Sequence, residues 1–215
     1  MRIAEGGYPW ILASFAVVFL LLGAAFFTMG LVMMILLIFA VLFFCLSCLL
    51  IVFFRDPERV IGSGIVAVAD GKIREILVLQ DPDVGECTRI STFMNIHNVH
   101  VNRMPLDGVI TELTHHPGGH LPAYRKESDH NERVIMIAQT TIGVIKIIQI
   151  AGTLARRIVP YVAKAQSMKK GERIGLIRFG SRVDVYLPTK KIKQLSIQVS
   201  ENLKAGEDSL AEVHD

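Results

Sequence analysis

A long stretch without any charged side chain occupies the first quarter of the sequence. It runs from Gly6 to Phe54 and is rich in Leu, Phe, Val, Ile, Ala and Met. One membrane crossing takes about 20 apolar residues, and a single helix of this length would measure about 74 Å. Two spans therefore fit better than one. We predict them at 10–27 and 31–54, with a reversal at 28–30 because glycine at position 30 tolerates the backbone angles of a tight turn.

The charges that flank this stretch predict its orientation. Arg2 precedes the first predicted span, and Arg55 and Arg59 follow the second. A hairpin leaves these residues on one side, which the positive-inside rule makes cytoplasmic. A secretory signal peptide is the alternative, but its apolar region covers only about 7–15 residues. We therefore expect residues 1–54 to anchor the protein in the cell membrane, with the rest of the chain in the cytoplasm.

Residues 55–200 have the pattern of a separate β domain. Short segments rich in Val and Ile are separated by Gly, Pro, Asp and Asn, as in GIVAVADGKI, GVIKIIQIAG and RVDVYLP. This rhythm predicts a mainly β, antiparallel fold, and the segment RMPLDGVI looks like the turns of barrel-sandwich domains of the lipoyl type. One helix is predicted at 152–163, where apolar residues recur at helical spacing. The polar residues 201–215 are expected to form a frayed tail.

Several residue types that often mark functional sites carry little weight in this chain. Cys45 and Cys48 lie inside the apolar stretch and Cys87 has no evident partner, which favours packing roles over redox or zinc chemistry. Many of the histidines lie in a loop that contains Gly and Pro and no cysteine, so we expect no metal site. The formal net charge of +3 does not indicate nucleic-acid binding. The histidines considered as metal ligands are His97, His100, His115, His116, His120 and His130.

Three positions can carry nucleophilic or proton-transfer chemistry, although each also has an ordinary structural explanation. Strand alternation puts His100 and Asn102 on one face and Arg103 on the other, and histidine is the usual acid–base side chain near neutral pH. Asp70 in ADG reads equally well as a turn residue. Ser181 follows a glycine but lies in no G-x-S-x-G elbow, so the hydrolase interpretation fails.

Five motifs taken together resemble the phosphatidylserine decarboxylase family, in particular its short form. They are FFRDPER, VAVADGKI, NVHVNRMPLDG, NERV and ERIGLIRFGSRVDVYLP, in this order between Phe53 and Pro188. The resemblance implies a proenzyme that cleaves its own bond between Gly180 and Ser181. It implies a β chain of residues 1–180, an α chain of residues 181–215, and a pyruvoyl cofactor made from Ser181.

The resemblance also implies a course for this maturation. The Ser181 Oγ attacks the carbonyl carbon of Gly180 and forms an ester, and a base then removes the serine α-proton. β-Elimination leaves a dehydroalanine, which hydrolyses to the pyruvoyl group and ammonia. His100 is implied as the base and as a proton carrier in turnover, with Asp70 orienting or charging its imidazole. In turnover the pyruvoyl carbonyl forms a Schiff base with the substrate amine and serves as the electron sink for loss of CO₂.

The residues that recognise the substrate are less well defined by the motifs. Longer family members carry a second histidine where an ungapped alignment puts Arg103. A shifted alignment uses His97 and His100 instead, but the ungapped one is preferred because it keeps Met104 and Pro105 in register. The division of labour between maturation and decarboxylation stays open, and Arg103 and His97 are both candidate substrate-binding residues. Residues near the histidine-rich loop are expected to contact the lipid phosphate, because arginine suits phosphate recognition. They are Arg125, Lys126, Asn131 and Arg133.

The function implied by the resemblance is conversion of phosphatidylserine to phosphatidylethanolamine and CO₂ in phospholipid biosynthesis. The implied partners are a membrane phospholipid and the two chains of one proenzyme, and a homo-oligomer is left open. Archaetidylserine, an ether lipid that short forms also process, is the alternative substrate. A non-catalytic, membrane-anchored β-domain scaffold is the alternative from another class, and a relative that has lost its activity is a third.

Overall fold

The structure, a computed structural model, describes residues 2–119, 121, 130–152, 157–178 and 181–214. The chain divides into two compact units, Met1–Pro57 and Glu58–Asp215.

The first unit is a pair of apolar helices bracketed by two short strands. β1 (Arg2–Ile3) pairs with β2 (Arg55–Asp56), and between them lie α1 (Tyr8–Phe26) and α2 (Gly30–Phe53). Gly30 begins α2 with a φ of +64°, a left-handed conformation that the reversal requires and that glycine adopts at little cost. Both predicted spans are confirmed as helices.

The surface of these helices explains why they need an apolar environment. Both are long and apolar enough to cross a membrane, and large side chains such as Phe19, Leu20 and Leu31 are about 70% exposed. A patch of this size is unfavourable in water, and it is consistent with association with a membrane.

The second unit is built from short strands, as the Val- and Ile-rich segments predict. Every pair formed by these strands is antiparallel, so the mainly β, antiparallel fold class is confirmed. A short 3₁₀ helix, Thr189–Lys191, follows the longest C-terminal strand. In the described part of the chain the strands are β3 (Ile65–Val66), β4 (Gly71–Asp81), β5 (Gly85–Met94), β6 (Val101–Arg103), β7 (Gly108–His116), β8 (Arg133–Thr140), β9 (Gly143–Ile150), β10 (Ile158–Pro160), β11 (Ser167–Met168), β12 (Arg173–Ile177), β13 (Ser181–Pro188), β14 (Ile192–Leu195), β15 (Asn202–Leu203) and β16 (Ser209–Val213).

One large sheet organises this unit. Its eight strands lie in the order β11-β7-β8-β9-β13-β5-β4-β15, so β13 is bordered by β9 on one side and β5 on the other. Two smaller sheets, β10-β12-β6 and β14-β16-β3, complete it. The main core contains Ile145, Ile147, Val183 and Val185, which alternate along β9 and β13 with residues of the opposite face. Burying each such side chain contributes roughly 1.5–3 kcal/mol.

Two sequence expectations were wrong. The helix predicted at 152–163 is replaced, in its described part, by β10, which pairs with β12; Pro160 lacks the N–H that a helix interior needs. The frayed tail expected at 201–215 instead forms β15 and β16, which pair with β4 and β3. Its polar average conceals apolar residues, such as Leu203 and Leu210, at positions that reach the core.

Gly71, which follows Asp70 at the start of β4, packs tightly against the backbone of β5. A Cβ added there would lie 2.2 Å from the Phe93 carbonyl oxygen, at a φ of +152°. We expect Gly71→Ala to lower the free energy of unfolding by about 2 kcal/mol or more, because the paired backbone of β5 cannot retreat. The measurement is thermal unfolding of the full chain in detergent micelles.

The matched control is Gly119→Ala, whose Cβ would meet nothing nearer than Asn131 Oδ1 at 3.7 Å. It should change the free energy of unfolding by less than about 0.5 kcal/mol. Equal unfolding midpoints for the two variants would contradict the steric argument.

Candidate active site

Ser181 is the first residue of β13, at one end of the large sheet. Its partner across β5 is Met94, and the next residue, Arg182, pairs with Ile150 at the end of β9. Alternation puts Ser181 on the same face as Val183, which is the core face. Gly180, the other predicted residue of the scissile bond, lies outside the described residues.

The hydroxyl of Ser181 is in an unusual environment. The residue is fully buried, and its Oγ makes no hydrogen bond to any residue that the structure describes. Burying a hydroxyl without a partner costs about 1–3 kcal/mol. Packing alone would favour alanine at this position, so the hydroxyl is better explained by chemistry than by stability.

His100 lies at the same end of the core as Ser181. The N–H of Ile177, four residues before Ser181, donates to the His100 carbonyl oxygen at 3.3 Å. In the other direction the turn 95–98 links His100 to Met94, the cross-strand partner of Ser181. Two short connections therefore join the two residues and place their backbones at the same end of the core.

The imidazole of His100 is buried and its tautomer is defined. Nδ1 lies 2.8 Å from the carbonyl oxygen of Asn98. Because a carbonyl oxygen only accepts, Nδ1 carries a proton, and Nε2 holds the lone pair whenever the ring is neutral. Nε2 is itself buried. A ring in this state can accept a proton from a nearby hydroxyl, as a general base must.

Asp70 lies close to the backbone that leads into His100. Its carboxylate accepts hydrogen bonds from the Ala205 N–H at 2.7 Å and from Arg59 Nη2 at 2.9 and 3.1 Å. The N–H of Val99, the residue directly before His100, is near enough to lower the pKa of this carboxyl. The structure thus brings Asp70 next to the His100 segment.

Burial dominates the electrostatics of this carboxylate. The Asp70 and Arg59 side chains are only 10% and 7% exposed. Burial raises the pKa of the Asp70 carboxyl above its ordinary value of 3.8, and the Ala205 N–H, the Arg59 charge and the Val99 N–H offset only part of this effect. Arg59 was interpreted from the sequence only as a charge that flanks the membrane. Its pairing with Asp70 had no sequence signal.

A buried pair of amides lies beside the same end of the core. Gln149 Nε2 donates to Asn102 Oδ1 at 2.7 Å, and both residues are fully buried. Gln149 pairs with Val183, two residues after Ser181, and its Oε1 has no partner among the described residues. Sequence reasoning named Asn102 only for its face and missed Gln149. A glutamine within the apolar run KIIQI was the available signal.

Two predicted substrate-binding residues occupy structural positions instead. Arg103 Nη1 donates to the Gly171 carbonyl oxygen at 2.9 Å, inside the protein. Asn131 donates to the Ala151 and Leu121 carbonyl oxygens at 2.7 and 2.6 Å and accepts from the Leu121 N–H. Both the N–H₂ group and the Oδ1 of the Asn131 amide are thus engaged by main-chain groups.

The remaining candidates are spread over the domain. His97 is exposed in the turn between β5 and β6. Arg133 alternates with the core residue Val134 along β8 and therefore lies on the opposite face of the sheet. Arg125 and Lys126, like His120, lie outside the described residues. Within the described ranges, no group of three or more His, Cys, Asp or Glu side chains could hold a metal ion.

Comparisons with known proteins give a consistent result. The family model described as phosphatidylserine decarboxylase matches residues 46–211. A phosphatidylserine decarboxylase proenzyme of Streptomyces avermitilis is 45% identical over 87% of this chain and 84% of its own length. One of Thermobifida fusca is 50% identical over 74% of this chain and 70% of its own. A protein of Methanococcoides burtonii named "Putative archaetidylserine decarboxylase proenzyme" is 40% identical over 77% of this chain and 76% of its own.

The raised pKa of Asp70 predicts a pH dependence of stability. The folded state holds this proton more tightly than the unfolded state, so the contribution of Asp70 is fully present below pH 3.8 and is lost as the pH rises through the folded pKa. Asp70→Asn removes the contribution. We expect the free energy of unfolding of the reference, minus that of Asp70→Asn, to fall over this window, by at most about 1.4 kcal/mol per pH unit.

The measurement is denaturant unfolding at several pH values, with both proteins carrying Ser181→Ala so that each remains a single chain. Glu86→Gln, at an exposed carboxylate near Lys190, is the control and should give a difference that varies little with pH. A difference for Asp70→Asn that rises with pH would mean that the Arg59 ion pair outweighs burial.

Proposed function

This chain belongs to the phosphatidylserine decarboxylase family, and we propose that it is a self-processing, pyruvoyl-dependent enzyme that decarboxylates phosphatidylserine to phosphatidylethanolamine. The observation that carries the proposal is the buried Ser181 hydroxyl, at the head of the central strand and at the same end of the core as the buried His100, whose Nδ1 is bound to the Asn98 carbonyl oxygen. The word proenzyme in the names of the relatives supports a precursor that is processed.

The residues around Ser181 suit formation of a pyruvoyl group from it. Nε2 of His100 takes the Oγ proton as the oxygen attacks the carbonyl carbon of Gly180, and the peptide bond becomes an ester. A base then removes the serine α-proton, and the electron pair expels the ester oxygen as the carboxylate of Gly180. Water hydrolyses the resulting dehydroalanine with release of ammonia. Burial of Ser181 and His100 keeps bulk water from hydrolysing the ester first.

The same residues have a second task in turnover. The pyruvoyl group supplies a carbonyl that takes up the substrate amine and withdraws electrons when CO₂ leaves. His100 is held by Asn98 and is available to move a proton at the substrate α-carbon. Gln149 Oε1 is an acceptor without a partner among the described residues. Asn102 Nδ2 is a weakly bound donor, because its partner is the Met94 sulfur at 3.6 Å. Such groups can orient polar parts of the substrate without charge.

The membrane location follows from the first unit, and we propose that the catalytic domain faces the cytoplasm. The argument rests on the basic residues near the ends of the hairpin. Arg59 no longer contributes to it, because its guanidinium is buried against Asp70. Arg2 and Arg55 remain, and they lie in β1 and β2, which pair with each other. This pairing supports both ends of the hairpin lying on one side of the membrane.

Archaetidylserine is a second candidate substrate, favoured by the 40% identity to the protein of Methanococcoides burtonii. The two lipids share the phosphoserine headgroup and differ in the linkage and stereochemistry of their chains. A direct comparison of CO₂ release from the two lipids in mixed micelles distinguishes them.

Ser181→Ala removes the nucleophile and should leave one intact chain of about 23.9 kDa that releases no CO₂. The wild-type protein should give two chains on a denaturing gel, with masses that correspond to cleavage after Gly180 and a smaller chain that resists N-terminal sequencing. Ser167→Ala, at an exposed serine in β11, is the matched control and should be cut like the wild type. A Ser181→Ala protein that is cleaved and releases CO₂ would contradict the mechanism.

His100→Gln should slow self-cleavage by about 100-fold or more, the usual contribution of a general base. The measurement is the fraction of cut chain over time after synthesis in a cell-free system. His214→Gln, at an exposed histidine, controls for the loss of an imidazole. The variant His97→Gln distinguishes the two alignments, since normal cleavage assigns the base to His100 alone. Cleavage of His100→Gln at the wild-type rate would refute this role.

A further inference from the structure

Two arginines face each other across neighbouring strands close to Ser181. The pairing of β10 with β12 ends at Ile158 and Ile177, and one residue further the Arg178 N–H donates to the Arg157 carbonyl oxygen at 3.4 Å. Residues directly opposite in an antiparallel pair project from the same face, with Cβ atoms about 4.5–5.5 Å apart. Like charges at this spacing repel, and an anion between them would remove the repulsion.

The electrostatics of Arg178 agree with this geometry. The pKa of its guanidinium is lowered, first by burial and then by the positive charge of Arg157. Arg157 is exposed and forms no ion pair with any residue in the described ranges. Arg157 therefore presents a positive charge at the end of the small sheet, next to Arg178.

The pair lies next to the residues proposed to react. Ile177 bonds to the backbone of His100, so Arg157 and Arg178 form the next row of the same sheet. Arg178 is three residues before Ser181, and three residues span at most about 10 Å even when fully extended. Alternation puts both side chains on the face opposite Ile158 and Ile177, which belong to the core. Because both arginines lie in the last row, their long side chains can reach around the end of the strands toward Ser181.

A cavity of about 470 Å³ adjoins Arg157. Its lining combines apolar side chains such as Leu113 and Val134 with His115 and Glu132, which pair with each other at 3.1 Å. The size is in the range of sites for small ligands. The Glu132 carbonyl accepts from the Ala151 N–H, and Ala151 follows the partner of Arg182 in β9. Glu132, in the cavity wall, is thus separated from Ser181 by two strand spacings, or roughly 10 Å.

We propose that Arg157 and Arg178 bind the phosphate group of the substrate headgroup, an inference that rests on the proposed function. Guanidinium groups match phosphate oxygens in geometry and charge. In a phosphoserine headgroup only a short chain of bonds separates the phosphate from the amine, so the phosphate must lie near Ser181 when the amine reacts. The arginine pair meets this requirement, whereas the Asn131 amide is already engaged by main-chain groups.

The test compares two soluble probes that differ only in the phosphate, O-phospho-L-serine and L-serine. The full chain in detergent micelles is treated with each probe and cyanoborohydride, and the mass added to the smaller chain is followed against probe concentration. We expect half-maximal addition at a concentration at least tenfold lower for O-phospho-L-serine in the wild type. Arg157→Gln should reduce this preference about tenfold, and the Arg157→Gln, Arg178→Gln double variant should abolish it.

The matched control is Arg74→Gln, which removes an exposed arginine that stacks on Phe93 in the same domain and should leave the preference unchanged. With phosphatidylserine in mixed micelles, Arg157→Gln should raise KM about tenfold with little change in kcat, whereas a purely structural role would lower kcat or the unfolding midpoint. Arg157 is exposed, so this single variant keeps the test valid if the double variant does not fold.

Four results would overturn the proposal. Equal effects of Arg157→Gln on both probes would show that the pair does not recognise phosphate. Competition by inorganic phosphate at constant ionic strength, without a preference for O-phospho-L-serine, would assign the pair to free phosphate instead of the headgroup. A wild-type chain that remains uncut removes the proposed function and this inference with it, while a cut chain without the preference removes the inference alone.

Discussion

The pairing of β13 on both sides is the interaction on which the rest of this structure depends. From Ser181 to Pro188 this strand pairs residue by residue with β5, and from Arg182 to Tyr186 it also pairs with β9. Its first residue is the proposed nucleophile. The reacting group is therefore placed by a ladder of main-chain hydrogen bonds, which is a more rigid support than a loop.

Buried charge on the face of β13 opposite the core reinforces this position. Asp184 is 1% exposed and is paired with Arg182 at 3.0 Å, and burial raises the pKa of its carboxyl. On β9, Lys146 binds Asp81 and Asp83 of the neighbouring hairpin. Replacing one member of such a pair leaves a buried charge without compensation, so the pairs discriminate strongly against other strand arrangements. The central strands are thus fixed by apolar packing on one face and by ion pairs on the other.

The parts of the fold that could be predicted from the sequence are those with a strong local pattern. The uncharged run from Gly6 to Phe54 predicts two helices, and the Val- and Ile-rich segments predict antiparallel strands. Local pattern failed where a few residues outweigh an average. The segment around Leu203 and Leu210 is polar overall, yet these residues reach the core and create β15 and β16.

The site shows the same division between local and long-range information. Ser181, His100 and Asp70 could be named because their motifs occur together, and the structure brings Ser181 and His100 to one end of the core. The partners that set their properties come from distant parts of the chain. Arg59 and Ala205, which hold Asp70, are 11 and 135 residues away from it. Arg157 and Arg178 meet only because β10 pairs with β12, and residues 152–163 were expected to be helical.

The C-terminal strands give the proposed cleavage a further meaning. Residues after Ser181 are hydrogen-bonded to the rest of the domain through β13, through β15 on β4 and through β16 on β3. A cut before Ser181 would therefore leave two polypeptides that remain associated in one folded domain. It would also convert the serine and break the peptide bond that was present when the domain folded. Chains separated by unfolding would have no precursor to return to. Such a protein folds only once, as its precursor. Its working lifetime is set by the rate at which the strands separate and not by the equilibrium between folded and unfolded states.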